Sequence, residues 1–135
     1  MRILLLLGFL MPLHAHAACK LKSPEPFARF FASFAEDKGF AAQRTRYPLD
    51  VWRHEFGIQD EPLIVKNQTT REQDAGYPSV GAFARDNGMA FATTALARSE
   101  ATVRMAKPGT DWLLTYHFTR GGNCWYLQRV EDHSL

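Results

Sequence analysis

The chain has 135 residues, 46% of them apolar and 13% aromatic, with a formal net charge of +2. That apolar content supports a packed core and excludes a disordered chain. No run of Lys or Arg exceeds two, so no basic stripe is present and no nucleic-acid partner is expected.

Met1-Arg2, the apolar run Ile3–Leu13 and Ala15-His16-Ala17 follow one another as a positive region, a hydrophobic region and an A-x-A cleavage site. Residues 1–17 therefore read as a secretory signal peptide, and the mature protein as periplasmic or secreted. The run falls short of the roughly 20 residues a membrane span needs, and Pro12 would disturb a spanning helix. An uncleaved anchor is the alternative. Nothing later in the chain is long and apolar enough to cross a membrane. Cys19 follows the cleavage site at once, but His16 stands where a lipobox has a branched apolar residue, which weighs against a lipoprotein. Residues 18–135 make a single α+β domain of 118 residues, with a charge of +1 once Arg2 is gone. Export permits a disulfide. Cys19 and Cys124 are the two cysteines and are expected to pair, two unpaired thiols being the alternative. Two thiols alone argue against a structural zinc site.

Lys20 to Pro26 is a lead-in to a helix. Phe27, Phe30, Phe31 and Phe34 fall at i, i+3, i+4 and i+7, one apolar stripe facing a core. Gly39 is the expected end of that helix. Phe40 to Phe56 reads as extended or mixed, interrupted at Pro48. Leu63-Ile64-Val65 is a short strand, and residues 67–78 a loop or a weakly held strand end. Ser79 caps a helix to about Arg85, with Val80, Phe83 and Ala84 inward, and Asn87-Gly88 ends it. Met89–Arg98 and Ala101–Ala106 are strands. Pro108-Gly109 fits a type II turn. Trp112, Leu114, Tyr116 and Phe118 alternate with Leu113, Thr115, His117 and Thr119, a strand with one buried face. Gly121-Gly122-Asn123 is a hairpin turn leading into a last strand, Cys124–Val130. The fold class is α+β, an N-terminal helix against a curved antiparallel meander.

The helix with spaced phenylalanines, Asp37, Phe40-x-x-x-Arg44-x-x-Tyr47-Pro48-Leu49, the strand Trp125-x-Leu127 and the end Asp132-x-Ser134 resemble a family of exported bacterial proteins of unknown function. That family has the fold of nuclear transport factor two. Ala41 and Tyr47 stand where the family pattern has glutamine and phenylalanine. The resemblance implies a cone: a strongly curved sheet wrapped round N-terminal helices, with a pocket at the open end. It implies no catalytic residues.

His54-Glu55 opens like the metalloprotease motif H-E-x-x-H, but position 58 is Ile. The mature histidines, His54, His117 and His133, include no pair at ligand spacing, so neither a metal nor another cofactor is expected. There is no nucleophile elbow and no phosphate-cradling glycine loop. Asp50, His54 and His117, with Tyr116 as a donor, are the candidates for acid–base chemistry in a cone pocket. Each also has a structural explanation as a turn or surface residue. Arg44 and Arg46 would share a strand face and clamp a carboxylate or phosphate, or pair with acids such as Glu36 or Asp37. Trp52, Trp112 and Trp125 offer stacking surface or core packing. Two classes follow. The favoured one is a binding module for an unknown protein or small molecule, with Arg44, Arg46, Trp52 and His117 as contact residues. The other is a small isomerase-, dehydratase- or hydrolase-like enzyme.

Overall fold

The computed structural model describes residues 18–134, and the signal-peptide reading of residues 1–17 lies outside them. Two helices come first, α1 (Phe27–Glu36) and α2 (Lys38–Gln43). A long strand β1 (Thr45–Phe56) turns back as β2 (Pro62–Thr69). Two further helices, α3 (Arg71–Asp74) and α4 (Val80–Asn87), lead to β3 (Ala90–Leu96), β4 (Glu100–Ala106), β5 (Leu113–Gly121) and β6 (Cys124–Asp132). The strands form one sheet in the order β2-β1-β6-β5-β4-β3. β3 to β6 are the expected antiparallel meander. β1 and β2 form a hairpin, and β1 joins β6 in parallel, so the sheet is mixed. Pro48 lies inside β1 after a cis peptide bond, where the register against β6 shifts between Thr45 and Asp50.

The phenylalanine stripe packs as its spacing requires. Phe27, Phe30 and Phe34 are buried and Phe31 half-buried, all four around Phe118 of β5 with ring centroids 5.3–5.9 Å apart. Burying each such ring stabilises by about 1.5–3 kcal/mol. Gly39 does not end the first helix; Asp37 does. Its backbone is extended (φ −108°, ψ 106°), and its carboxylate accepts the Phe40 N–H at 3.0 Å. That cap starts α2, which carries Gly39 and Phe40 in its interior.

Residues 67–69 are the expected strand end, closing β2, but residues 71–74 are helical, not loop. The Thr70 hydroxyl accepts the Gln73 N–H at 3.3 Å, and the Gln73 side chain accepts the Thr70 N–H at 2.9 Å, a reciprocal capping box. The Ser79 hydroxyl accepts the Ala82 N–H at 3.2 Å to start α4, and Gly88 ends it in the left-handed region (φ 65°). α4 crosses α1 at Gly81, where a Cβ would stand 2.9 Å from the Ala35 carbonyl oxygen.

Cys19 and Cys124 form a disulfide across 105 residues, with Cα atoms 5.7 Å apart. It fastens the lead-in to the start of β6. No helix among the described residues is long and apolar enough to cross a membrane.

Candidate functional site

Alternation along β1, β5 and β6 gives the sheet two chemically different faces. On the helix side a cavity of about 560 Å³ remains between the strands and helices α2 to α4. Leu49 and Val51 of β1, Leu114 of β5, Leu127 and Val130 of β6 and Phe83 of α4 make its walls largely apolar. α3 and the turn after it supply the solvent side, where Arg71 and Tyr77 are exposed.

Few polar groups reach this space. Tyr116 of β5 is only 7% exposed and lines this space. Burial, then the nearby Asp74 and Asp132 carboxylates, push its phenol above the ordinary value of 10.0. The Tyr47 hydroxyl donates a short hydrogen bond to Asp74 Oδ2. Burial first, then that bond, push Tyr47 above the same value. The Arg71 guanidinium lies 4.9 Å from the centre of the Tyr47 ring. Asp74 and Arg71 are delivered by α3, and hence by its capping box. Asp74 has no signature in isolation, but the spacing of Thr70 and Gln73 would have placed it on a helix.

The opposite face gathers His54, His117 and His133 on one carboxylate. Glu131 Oε2 lies 2.9 Å from His54 Nε2 and 3.7 Å from His133 Nε2. Its Oε1 accepts the Arg129 Nε–H at 2.8 Å. His117 Nε2 is 3.1 Å from Oε1 but off the axis of a hydrogen bond, and this buried nitrogen has no bonded partner. The His54 and His133 rings stack with centroids 4.1 Å apart. Ligand atoms of His54, Glu131 and His133 all lie within 4.8 Å of one another, near enough for one metal ion. Burial, then the Arg129 charge, lower the His117 pKa; burial, then His54, lower that of His133. Burial alone would raise Glu131, but the His54 hydrogen bond and the Arg129 and His117 charges outweigh it and hold the carboxyl below its usual range.

The expected contact residues separate. Arg44 lies at the end of α2, with Nη1 2.7 Å from Glu25 Oε2 and its guanidinium 4.9 Å from the Phe40 ring centre. Arg46 Nη1 donates to Gln128 Oε1 at 3.1 Å. Both guanidinium groups lie within 5.7 Å of the Tyr126 ring centre. Neither pairs with Glu36, which binds Arg85 at 2.6 Å. Trp52 is on the histidine side, with Arg129 and Lys66 at 4.1 and 4.3 Å from its ring. Trp125 is core, and Trp112 packs edge-on against Phe83. Asp50, His54 and His117 share the outer face, whereas Tyr116 opens to the inner cavity, so the sheet divides the acid–base candidates.

The fold is that of nuclear-transport-factor-two-like (NTF2-like) and cystatin-like proteins. An NTF2-like protein from Bacteroides fragilis superposes with a TM-score of 0.62 at 20% identity, over 86% of this chain and 50% of that one. A cystatin-like protein from Bacteroides caccae does so with 0.51 at 14% identity, over 82% and 77%. The chain thus spans half the length of the first relative. No protein family and no curated protein matches the sequence.

Proposed function

We propose that this domain works outside the cytoplasm and binds, in the cavity between sheet and helices, a small, largely apolar molecule carrying one hydrogen-bonding group. The observation that carries this reading is Tyr116, a residue only 7% exposed, lining an apolar space of about 560 Å³. A phenol in such a space can donate a hydrogen bond to a ligand carbonyl or hydroxyl. The volume falls within the range of small-molecule sites. The Cys19–Cys124 disulfide supports an oxidising compartment.

The test uses the tag-free mature protein, titrated calorimetrically with a series of medium-chain ketones, alcohols and carboxylic acids. One saturable site is expected. Leu114→Trp, which fills the cavity, abolishes it while the thermal transition persists. Tyr116→Phe weakens binding about 5–10-fold, the net worth of one hydrogen bond. Absence of binding across the series, or equal binding by Leu114→Trp, overturns the reading.

One observation favours a second reading, the small acid–base enzyme. The Asp74 carboxylate borders the cavity and is held by Tyr47, and Tyr116 lines the same space. In that reading Asp74 removes a proton from the ligand and a tyrosine hydroxyl stabilises the resulting oxyanion. Proton–deuterium exchange into a bound ketone, lost in Asp74→Asn with affinity retained, marks the enzyme. Binding without exchange marks the binding module.

A further inference from the structure

The outer face of the sheet carries a second constellation, independent of the cavity. The three histidines at positions 54, 117 and 133 come from β1, β5 and the segment just beyond β6, and all meet at Glu131. Pairing explains the meeting. β1 lies parallel to β6 with Trp52 opposite Glu131, so His54 projects on the same side two residues on. β5 lies antiparallel to β6 with His117 opposite Arg129. The His133 N–H donates to the Leu113 carbonyl at 2.9 Å, which holds the segment after β6 against the sheet.

Charge pairing does not account for this grouping. Glu131 has a single negative charge, and Arg129 already binds its Oε1 at 2.8 Å. Of the further imidazoles, only His133 also feels a second acid, the neighbouring Asp132. His117 Nε2 lies 3.1 Å from Glu131 Oε1 but makes no aligned hydrogen bond. The spacings suit a shared ion. Ligand atoms about 2.1 Å from one metal stand ~3.0 Å apart at octahedral angles and ~3.4 Å apart at tetrahedral ones. The Glu131 Oε2 separations from His54 Nε2 and His133 Nε2, 2.9 and 3.7 Å, bracket those values. The two histidine side chains are about 30% exposed, so an ion has a path from solvent.

We propose that His54, His133 and Glu131 form a binding site for one divalent late transition metal of the zinc class, with His117 as the adjacent fourth donor. Two imidazoles and one carboxylate select such ions over magnesium or calcium, which take oxygen ligands. Arg129 is the positioning residue. It occupies Oε1, turns Oε2 toward His54 and His133, and rests on the Trp52 ring at 4.1 Å. Its positive charge opposes the ion and moderates the affinity.

The test is calorimetric titration of chelator-treated, tag-free mature protein with zinc chloride, and separately with magnesium chloride. The expected result is one zinc per chain and no heat from magnesium. His54→Ala and His133→Ala each weaken zinc binding by at least about 10–100-fold, the loss seen even when an outer-shell partner is removed. Both histidines are partly exposed, so these variants keep the fold, and a thermal scan checks it. Zinc also raises the melting temperature of the wild type and leaves that of the His54→Ala/His133→Ala double variant unmoved. No zinc binding by the wild type, or equal binding by the double variant, overturns the site. Neither result bears on cavity binding, which the ketone and alcohol titration reads separately.

Discussion

At the scale of single residues, buried side chains divide into those that hold the fold and those that face a void. Phe30 is 1% exposed and ringed by Phe27, Phe34, Phe40 and Phe118. Phe30→Ala should cost about 3–5 kcal/mol in chemical denaturation; a loss below ~1 kcal/mol would place the stripe outside the core. Arg44 holds Glu25, whose carboxylate also accepts the Trp125 N–H at 3.2 Å. Arg44→Ala removes the charged partner of a largely buried carboxylate, leaving it only the Trp125 N–H, and roughly 3 kcal/mol of stability should go with it. Ligand affinity measured on the folded fraction should not change. Tyr47 and Tyr116 behave differently from Phe30, because both phenols resist ionisation. A folded-state pKa raised above the unfolded value favours the native state below the unfolded pKa. That contribution is lost as pH climbs past 10.0 toward the folded values. Ultraviolet titration of tyrosinate, read against Tyr47→Phe and Tyr116→Phe, should therefore show these two tyrosines ionising only with alkaline unfolding. Simple titration of all four near the ordinary value would mean that the cavity tyrosines are solvated.

At the scale of elements, the disulfide closes a loop spanning 105 residues. The chain-entropy account gives that closure about 4.7 kcal/mol. Replacing both cysteines by serine should lower unfolding free energy by about 3–5 kcal/mol without changing the strand content seen by circular dichroism. Local patterns were legible wherever one face of an element is buried: the i, i+3, i+4, i+7 phenylalanines of α1, the strict alternation of β5, the Ser79 cap of α4 and the Pro108-Gly109 turn. They were not legible where a short polar segment is stabilised by its own caps. The Asp37 cap moves the helix break two residues ahead of Gly39, and the Thr70–Gln73 box makes a helix of a polar stretch. The parallel β1–β6 pair is the other blind spot, since it joins segments some 80 residues apart and has no turn to announce it.

At the scale of the molecule, that parallel pair assembles both candidate sites. It brings Leu49 and Val51 beside Leu127 and Val130 on the inner face, and His54 beside Glu131 and His133 on the outer one. Residue spacing showed Tyr116 and His117 to be on opposite faces of one strand, and the structure keeps them so. Spacing alone showed neither Asp74 beside the tyrosines nor Glu131 among the histidines, because those neighbours depend on pairing between distant strands. The sheet thus separates an apolar cavity with a tyrosine hydroxyl from a histidine–carboxylate cluster, and a ligand of one should not compete with a ligand of the other. The most direct measurement is methyl nuclear magnetic resonance on isotope-labelled protein comprising residues 18–135, with the tightest-binding ketone or alcohol added. The cavity account predicts saturable shifts at Leu49, Val51, Leu114, Leu127 and Val130, with nuclear Overhauser contacts from the ligand to the Tyr116 ring. Shifts confined to the histidine face, or no shifts at saturating ligand, would contradict it.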